Sequence, residues 1–534
     1  MSTVLGIDLG TQSVKVVFYD FETRESVAVE TAPLDLYQTD DGVAEQQAHW
    51  WVHALQQALQ RVGKAVRKSA LAIGVSGQQH GFVPIDGSGE VLAAVKLWCD
   101  TSTAAECDAI MDAFGGVDAC IAEVGNAILP GYTASKIRWF RDAHPGRYAQ
   151  MDCILLPHDY LNFYLTGERC MEAGDASGTG FMDIRKREWS NKMLRAIDPD
   201  RDLRDCLPDV STSNQAVGTL LPQIADELGL PPGIPISIGG GDNMMGAIGT
   251  GNVKPGVVTV SLGTSGTVYA FANEPIIDAK GNIAAFCSST GGWLPLLCTM
   301  NCTVSTELMR NLVGVDIANF EAQVEAAPRG ANGVMTVPFF NGERTPNLPN
   351  ARGVFLGRDG RNTTRPNRFR SAIEGATFAL RFGFDEMKVL GVSANEIVLT
   401  GGGTNSNTWR QVVADVFDAP VTVLKNNEGA AFGAALQALA MLEGDVLELP
   451  ALVGEHLTSD DERCVEPRPS AVNFYNDLYV SYQQAVDKVA ALYRCIPEAR
   501  RMSRTVFTGV TVRFPGIEQI PDAGAVSDNP RALQ

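Results

Sequence analysis

Two carboxylates and two hydroxyl-bearing turns carry most of the chemistry this chain offers. Asp8 stands in the run Gly6-Ile7-Asp8-Leu9-Gly10-Thr11-Gln12-Ser13 near the N-terminus, and Asp242 in Ile238-Gly239-Gly240-Gly241-Asp242-Asn243 near the middle. A second turn, Leu262-Gly263-Thr264-Ser265-Gly266-Thr267, echoes the first about half the chain later. Apolar, strand-like runs flank both turns. Each therefore reads as a β-hairpin whose tip lays backbone N–H groups and a side-chain O–H against an anion. One such tip grips one end of a polyphosphate, and two from similar halves grip it from both sides. Gly10, Thr11, Gln12 and Ser13 of the first turn, with Asp8, and Gly263 and Thr264 of the second are the phosphate-binding candidates.

Asp8 has two readings. Beside phosphate oxygens a carboxylate is repelled unless a divalent cation lies between them, which asks for magnesium with Asp8 as its ligand; otherwise Asp8 caps its own turn. Lys15, on the strand leaving the turn, reads as a solvated lysine and is left out of the site. Asp242 lies where a strand gives way to a helix N-terminus, whose dipole is expected to favour the ionised form. An ionised Asp beside a hydroxyl accepts its proton as that hydroxyl attacks a phosphoryl group, which makes Asp242 the candidate catalytic base. The plainer reading is a helix cap. Asn243 both donates and accepts, which suits a polyol hydroxyl.

Ser76-Gly77-Gln78-Gln79-His80-Gly81 follows a strand and places Gln79 and His80 at its C-terminal edge, where α/β sheets bind ligands. A structural histidine is the alternative. In Leu97-Trp98-Cys99-Asp100 the Trp98 indole either covers sugar C–H groups or belongs to the core. Gly401-Gly402-Gly403-Thr404-Asn405-Ser406-Asn407 repeats the strand, glycine, helix arrangement. There Gly402 and Gly403 admit a flat base or ribose, with Asn407 beside them, although close helix–strand packing selects glycine equally well. For the small-residue run Glu428 to Ala435, helix packing is the preferred reading.

These residues need elements to hold them. Gln46 to Val66 has helical spacing and precedes a strand at Ala72–Ser76; Ile373 to Leu390 reads as a helix, Ile397–Thr400 as a strand and Trp409–Phe417 as the next helix. That alternation signals α/β layers repeated in two halves. Pro232-Gly233 and Pro255-Gly256 punctuate the middle, and a boundary is expected between about 245 and 256. Residues 470–494 read as one amphipathic helix with Phe474, Leu478, Tyr482, Val486 and Leu492 on its apolar face, before a loosely held tail.

Composition narrows the function class. A chain of 534 residues, 45% apolar, can bury more than one core. Its formal charge of −19 opposes nucleic acid or an anionic bilayer as partner. No apolar run approaches the roughly 18 residues that span a membrane, and no leader-like segment opens the chain. A cytoplasmic protein is expected. The 11 cysteines show no CxxC pair and read as reduced thiols.

The Asp8 turn, Ser76–Gly81, Leu97–Asp100, Pro157-His158-Asp159-Tyr160-Leu161, Asp175-Ala176-Ser177-Gly178-Thr179, Gly239–Asn243, Ser261–Gly266, Asn341-Gly342-Glu343-Arg344-Thr345-Pro346 and Gly401–Gly403 follow one another in an order that resembles the FGGY family of carbohydrate kinases, over roughly residues 4–495. The resemblance implies an α/β fold of two ribonuclease H-like domains, of the actin, sugar kinase and heat-shock ATPase superfamily, flanking a central cleft. Residues 1–250 would form the sugar-binding domain with the first phosphate turn, 251–495 the nucleotide-binding domain and 496–534 a tail. It implies that Asp242 is the general base, that Gln79, His80 and Asn243 contact a ketopentose covered by Trp98, and that the first turn, Thr264 and Gly402-Gly403 hold magnesium ATP. The cleft is expected to close on sugar binding.

The implied reaction is transfer of the ATP γ-phosphate to the terminal hydroxyl of D-xylulose. Ribulose or glycerol is the alternative acceptor. An actin-like or chaperone-like ATPase is the alternative class, and it has no need of the Ser76–Gly81 and Asp242-Asn243 sugar pocket. A homodimer is suggested by resemblance alone. Some positions depart from the family pattern: Thr101-Ser102-Thr103 follows Asp100 where many bacterial members carry an Arg, His158 stands where a Lys is frequent, and Ser288 where a His is frequent. Ala143, Arg358 and Arg368 depart from the family's signature patterns.

Overall fold

The computed structural model describes residues 1–211, 215–426, 428–444 and 449–494. The expected tail at 496–534 lies outside the described residues. Ten cysteines among them are free thiols.

Two sheets built on one plan organise the chain. The first contains β1 (Thr3–Leu9), β2 (Ser13–Asp20), β3 (Glu25–Pro33), β4 (Ala70–Gly77), β5 (Ala216–Thr219) and β6 (Pro235–Ser237). Their order is β5-β6-β4-β1-β2-β3, and the two-residue β7 (Gly240–Gly241) pairs with the end of β4. The second sheet contains β8 (Gly256–Leu262), β9 (Gly266–Ala270), β10 (Leu296–Thr299), β11 (Ala394–Thr400) and β12 (Val421–Thr422), in the order β10-β9-β8-β11-β12. In each sheet a glycine-turn hairpin supplies the two central antiparallel strands, a third strand extends them, and a parallel strand flanks the first.

The repetition reaches single residues. Asp8 on β1 lies opposite Lys15 across the hairpin and opposite Ser76 on the parallel side. Ser261 on β8 lies likewise opposite Thr267 and Thr400. The two halves thus present a carboxylate and a hydroxyl from equivalent registers.

The helices that matter for the site are α1 (Ala48–Arg61), α2 (Pro157–Thr166), α3 (Asp242–Gly249), α4 (Arg365–Val389), α5 (Asn407–Phe417), α6 (Gly429–Glu443) and α7 (Pro469–Arg494). The helix expected over 46–66 stops at Arg61, because Val62 turns to extended backbone before Gly63, and a short helix Lys64–Arg67 follows. Conversely, α4 begins eight residues earlier than expected. Thr364 caps it by accepting from the Asn367 N–H, and Pro366 sits in its first turn, where the missing N–H costs nothing.

On α7 the buried stripe is Ala471, Tyr475, Tyr479, Tyr482, Val486 and Val489. The expected face is corrected at Phe474 and Leu492, which are 41% and 55% exposed, and at Leu478, which is half-buried. The tyrosines, apolar in body and polar at the tip, displaced those simpler apolar choices.

One side of the first sheet packs on Trp51, Leu55, Ala58 and Leu59 of α1. The other side is covered by α6, which comes from the second half of the sequence. Met244, Met245 and Ile248 of α3 and Phe432, Ala434 and Ala435 of α6 share one core with Val4 and Ala72. Glycine makes the approach possible: a Cβ on Gly433 would lie 1.7 Å from the Met245 carbonyl oxygen, and one on Gly6 1.8 Å from that of Ala431. The packing reading of the small-residue run is thus correct, and the two halves are interlocked beside the cleft.

Candidate functional site

Asp8, Lys15, Asp242, Asn243, Ser261 and Thr267 line one cavity of about 260 Å³, together with Tyr269, Thr400, Gly401 and Glu428. Both glycine hairpins therefore face the same space, with Asp242 looking into it. The tips extend beyond: Gln12 and Thr264 are exposed, while Gly10, Ser13 and Gly263 are half-buried.

Each tip is braced from behind. The Gly10 N–H donates to the Ser13 carbonyl at 3.0 Å, and the Thr303 and Cys302 N–H groups donate to the Gly263 and Thr264 carbonyls at 2.9 and 3.0 Å. The Thr11 hydroxyl donates to Gln78 Oε1 at 3.0 Å and accepts from the Trp98 indole N–H at 2.9 Å. Its backbone N–H is thus the group left to meet a phosphate. The half-buried Trp98 is tied by the same bond to the first turn.

Asp8 accepts from the Ser76 hydroxyl at 2.9 Å, the consequence of their register. Burial raises its pKa, against the lowering effects of Ser76 and Lys15. Lys15, read from sequence as a solvated lysine, instead lines the cavity and pairs with Glu428 at 2.9 Å across the two halves. At about one-third exposure for each partner, that pair contributes little stability.

Asp242 is the first residue of α3, after Gly241 in extended conformation. Its Oδ1 accepts from the Asn243 N–H at 2.8 Å and Asn243 Nδ2 at 2.9 Å, and that amide also donates to Gln79 Oε1 at 3.0 Å. Gln79, Asn243 and Asp242 thus form a connected row. The expectation that the helix dipole keeps Asp242 readily ionised is corrected: burial, reinforced by the negative charges of Asp8 and Asp175, pushes its pKa up to about 7. Desolvation and two like charges outweigh one helix end. The result is a carboxylate poised near neutral pH, more basic than an ordinary Asp.

His80 is buried in a left-handed backbone conformation, φ 66°, its ring packed at a tilt against Tyr132 and Phe286 at centroid distances of 4.9 and 5.7 Å. Lys136 Nζ at 2.7 Å and Thr133 Oγ1 at 3.2 Å donate to its carbonyl and fix that strained turn. Burial, with Lys136 and Arg344 nearby, holds the imidazole well below its usual pKa, so the ring is neutral. Gln79 lies beside the Asp175 carboxylate and the His80 ring beside the Gly178 backbone, so these buried polar groups are only loosely partnered by one another and offer a polar lining that suits a polyhydroxylated ligand.

Behind them lies a network that motif reading missed. His158, at the start of α2, is fully buried with Nδ1 at 2.6 Å from Asp175 and Nε2 at 2.9 Å from Asp159. Burial alone would lower its pKa, but the two carboxylates override that and raise it, so His158 is a buried cation. A charged residue at a frequent Lys position was the available signal. Tyr269, buried at the rim of the same cavity, carried no signal at all.

The glycine triplet behaves residue by residue. Gly403 is buried, and a Cβ there would lie 2.6 Å from Leu262 Cβ, so packing against the second hairpin demands glycine. Gly402 is exposed with open space beside it. Asn407 is exposed and is not brought to the Asp8–Asp242 cavity; it lines a separate one of about 410 Å³ with Arg329, Arg370 and Thr408.

Comparison with known proteins agrees with this geometry. Models of the FGGY family of carbohydrate kinases match the chain twice, the N-terminal domain over residues 3–249 and the C-terminal domain over residues 258–442. The chain is 43% identical to the xylulose kinase of Haemophilus influenzae over 486 residues, covering 90% of this chain and 98% of that protein. Among solved structures, a xylulose kinase from Bifidobacterium adolescentis has a TM-score of 0.76 at 31% identity, covering 89% of this chain and 99% of that one. A structure from Brucella ovis described as a xyloylose kinase has a TM-score of 0.84 at 29% identity, covering 92% of this chain and all of that one.

Proposed function

This chain belongs to the FGGY family of carbohydrate kinases, and we propose that it transfers the γ-phosphate of ATP to the terminal hydroxyl of D-xylulose, giving D-xylulose 5-phosphate. The observation that carries the reading is the shared cavity: two hairpins of one plan, a carboxylate on each side of it and a sugar-sized row of amides adjoining Asp242. The 43% identity to a xylulose kinase across nearly both full lengths supports the choice of sugar.

In this reading Gln79, His80 and Asn243 orient the sugar, with Trp98 bordering it. Asp242 accepts the proton of the attacking hydroxyl, and its raised pKa makes it an effective acceptor while still substantially ionised at neutral pH. The N–H groups of residues 11–13, with Gly263 and Thr264, hold phosphate oxygens, while Gly402 gives the nucleoside an open approach. Gly403 supports that approach by letting the loop lie on Leu262.

Magnesium fits the donor set. Asp8 uses one oxygen for Ser76, leaving its other oxygen available, and two carboxylates confronting one cavity are stabilised by a cation. No group of three or more His, Cys, Asp or Glu among the described residues could hold a metal by itself. A hydrated magnesium ion instead takes one or two carboxylates plus the phosphates of its nucleotide. When bound it neutralises charge developing on the transferred phosphoryl group. A cytoplasmic location and a homodimer belong to the same reading; among the described residues no helix is long and apolar enough to cross a membrane.

A coupled assay of ATP consumption tests the substrate. D-xylulose is expected to give the highest kcat/KM among D-xylulose, D-ribulose and glycerol, with little turnover when sugar is omitted. Equal rates with all three would remove the substrate assignment.

A further inference from the structure

Two basic side chains act on the buried His80: Lys136, whose own pKa burial lowers to about 7, and Arg344. Lys136 is fully engaged in the scaffold, its Nζ donating to the carbonyl oxygens of His80 and Gly131 at 2.7 and 2.8 Å. Arg344 differs. Among the described residues Arg344 bonds through its backbone N–H to Glu343, while its guanidinium makes no hydrogen bond and no ion pair within 4 Å, yet the residue is half-buried. A cation drawn out of water without a partner is costly unless a ligand satisfies it.

The root of Arg344 is rigid. The buried Glu343 carboxylate accepts from the N–H groups of Met300 at 2.6 Å and Arg344 at 2.9 Å, and from Asn301 Nδ2 at 3.1 Å. Glu343 and Leu348 exchange backbone hydrogen bonds of 2.9 Å across the loop. From this anchor in the second half of the chain, the side chain crosses to the first: a Cβ on Gly131 would lie 3.5 Å from Arg344 Nη2 and 2.6 Å from the Trp98 carbonyl oxygen. Its charge is felt by Tyr132 and Cys99 as well as His80. The neutral His80 ring and Tyr132 pack together, and the Arg344 guanidinium lies beside Gly131, next to Tyr132 in sequence and against the Trp98 carbonyl.

We propose that Arg344 is a specificity-determining residue that donates to adjacent oxygens of the bound sugar, so that the sugar is held by both halves of the chain. A planar guanidinium makes two parallel hydrogen bonds to neighbouring oxygens, a geometry a flexible ammonium does not reproduce. A ketopentose presents such oxygens on consecutive carbons. Contact from the second half also makes closure of the cleft depend on the sugar. The inference rests on the sugar-kinase reading above.

The test is steady-state kinetics of Arg344→Gln and Arg344→Lys with D-xylulose and ATP varied separately, alongside thermal melting. Loss of hydrogen bonds from a charged donor predicts a rise in the D-xylulose KM of about 10- to 100-fold for Arg344→Gln, with the ATP KM unchanged. Arg344→Lys should give a smaller rise in the same direction, and it carries the test if the Gln variant does not fold. A lowered melting temperature with the parental sugar KM in the folded variants would mean that Arg344 only balances Glu343, and overturns the proposal. If the parent enzyme phosphorylates none of D-xylulose, D-ribulose and glycerol, the sugar-kinase reading fails and this inference falls with it. If the parent does so and both variants match it, the inference alone fails.

Discussion

Replacing Asp242 with Asn is expected to lower kcat for D-xylulose by roughly 10²- to 10⁴-fold, the usual contribution of a general base, while ATP affinity stays near normal. The substitution keeps the shape of the side chain, and its amide oxygen can still accept from the Asn243 N–H and side-chain amide that now hold Oδ1. What disappears is the acceptor for the sugar proton. The pH profile gives the same residue a second signature. Because burial and the charges of Asp8 and Asp175 raise the Asp242 pKa to about 7, the free enzyme's base is lost as pH falls through that value. The parent kcat/KM is therefore expected to plateau above neutrality and to fall about tenfold per pH unit well below it. In Asp242→Asn that acid limb should vanish from the residual activity. Parental turnover in the variant would remove Asp242 from the mechanism, and an acid limb that persists unchanged would assign the titration to another group.

Asp8→Asn carries the second large effect. The Ser76 hydroxyl can still meet the amide oxygen, so β1 keeps its partner across the register, but the anionic donor is gone. The magnesium concentration for half-maximal turnover is expected to rise roughly tenfold or more, since a site with so few protein ligands depends on each charge. Removing this neighbour also relieves part of the repulsion on Asp242, so the acid limb of kcat/KM should move to lower pH. A magnesium titration at fixed ATP and a pH series on the same variant measure both. An unchanged magnesium response would reduce Asp8 to a strand residue that organises Ser76.

The candidate site is the part of the molecule most open to reading from sequence, because its signals are local. Asp8 and Asp242 each stand among glycines in a strand-to-turn or strand-to-helix setting. The echo between the two hairpins survives in three dimensions as matching registers, Asp8 between Lys15 and Ser76 and Ser261 between Thr267 and Thr400. Non-local terms escaped. The sign of the Asp242 shift depends on burial and on carboxylates brought in by other segments, whereas only the helix dipole is visible locally.

Lys15 illustrates the same limit. Alternation along β2 leaves it half-exposed, and only the crossing of α6 from the second half places Glu428 beside it. The cation between Asp159 and Asp175 is likewise a product of folding, since Asp175 arrives from outside α2 to meet His158. On α7 side-chain character decides the face: Tyr475 and Tyr479 bury their rings, whereas the more apolar Phe474 and Leu478 lie exposed and half-buried. Asn407 adjoins the glycine triplet in sequence, yet α5 turns it toward a different cavity.

The most direct test of the central claim is a crystal structure of the protein with D-xylulose, magnesium and a non-hydrolysable ATP analogue. The sugar's terminal hydroxyl is expected within hydrogen-bond distance of the Asp242 carboxylate, with the γ-phosphate between the hairpin of Asp8 and the hairpin of Ser261. A triphosphate lying outside the cavity those hairpins share, or a sugar hydroxyl facing away from Asp242, would contradict the account.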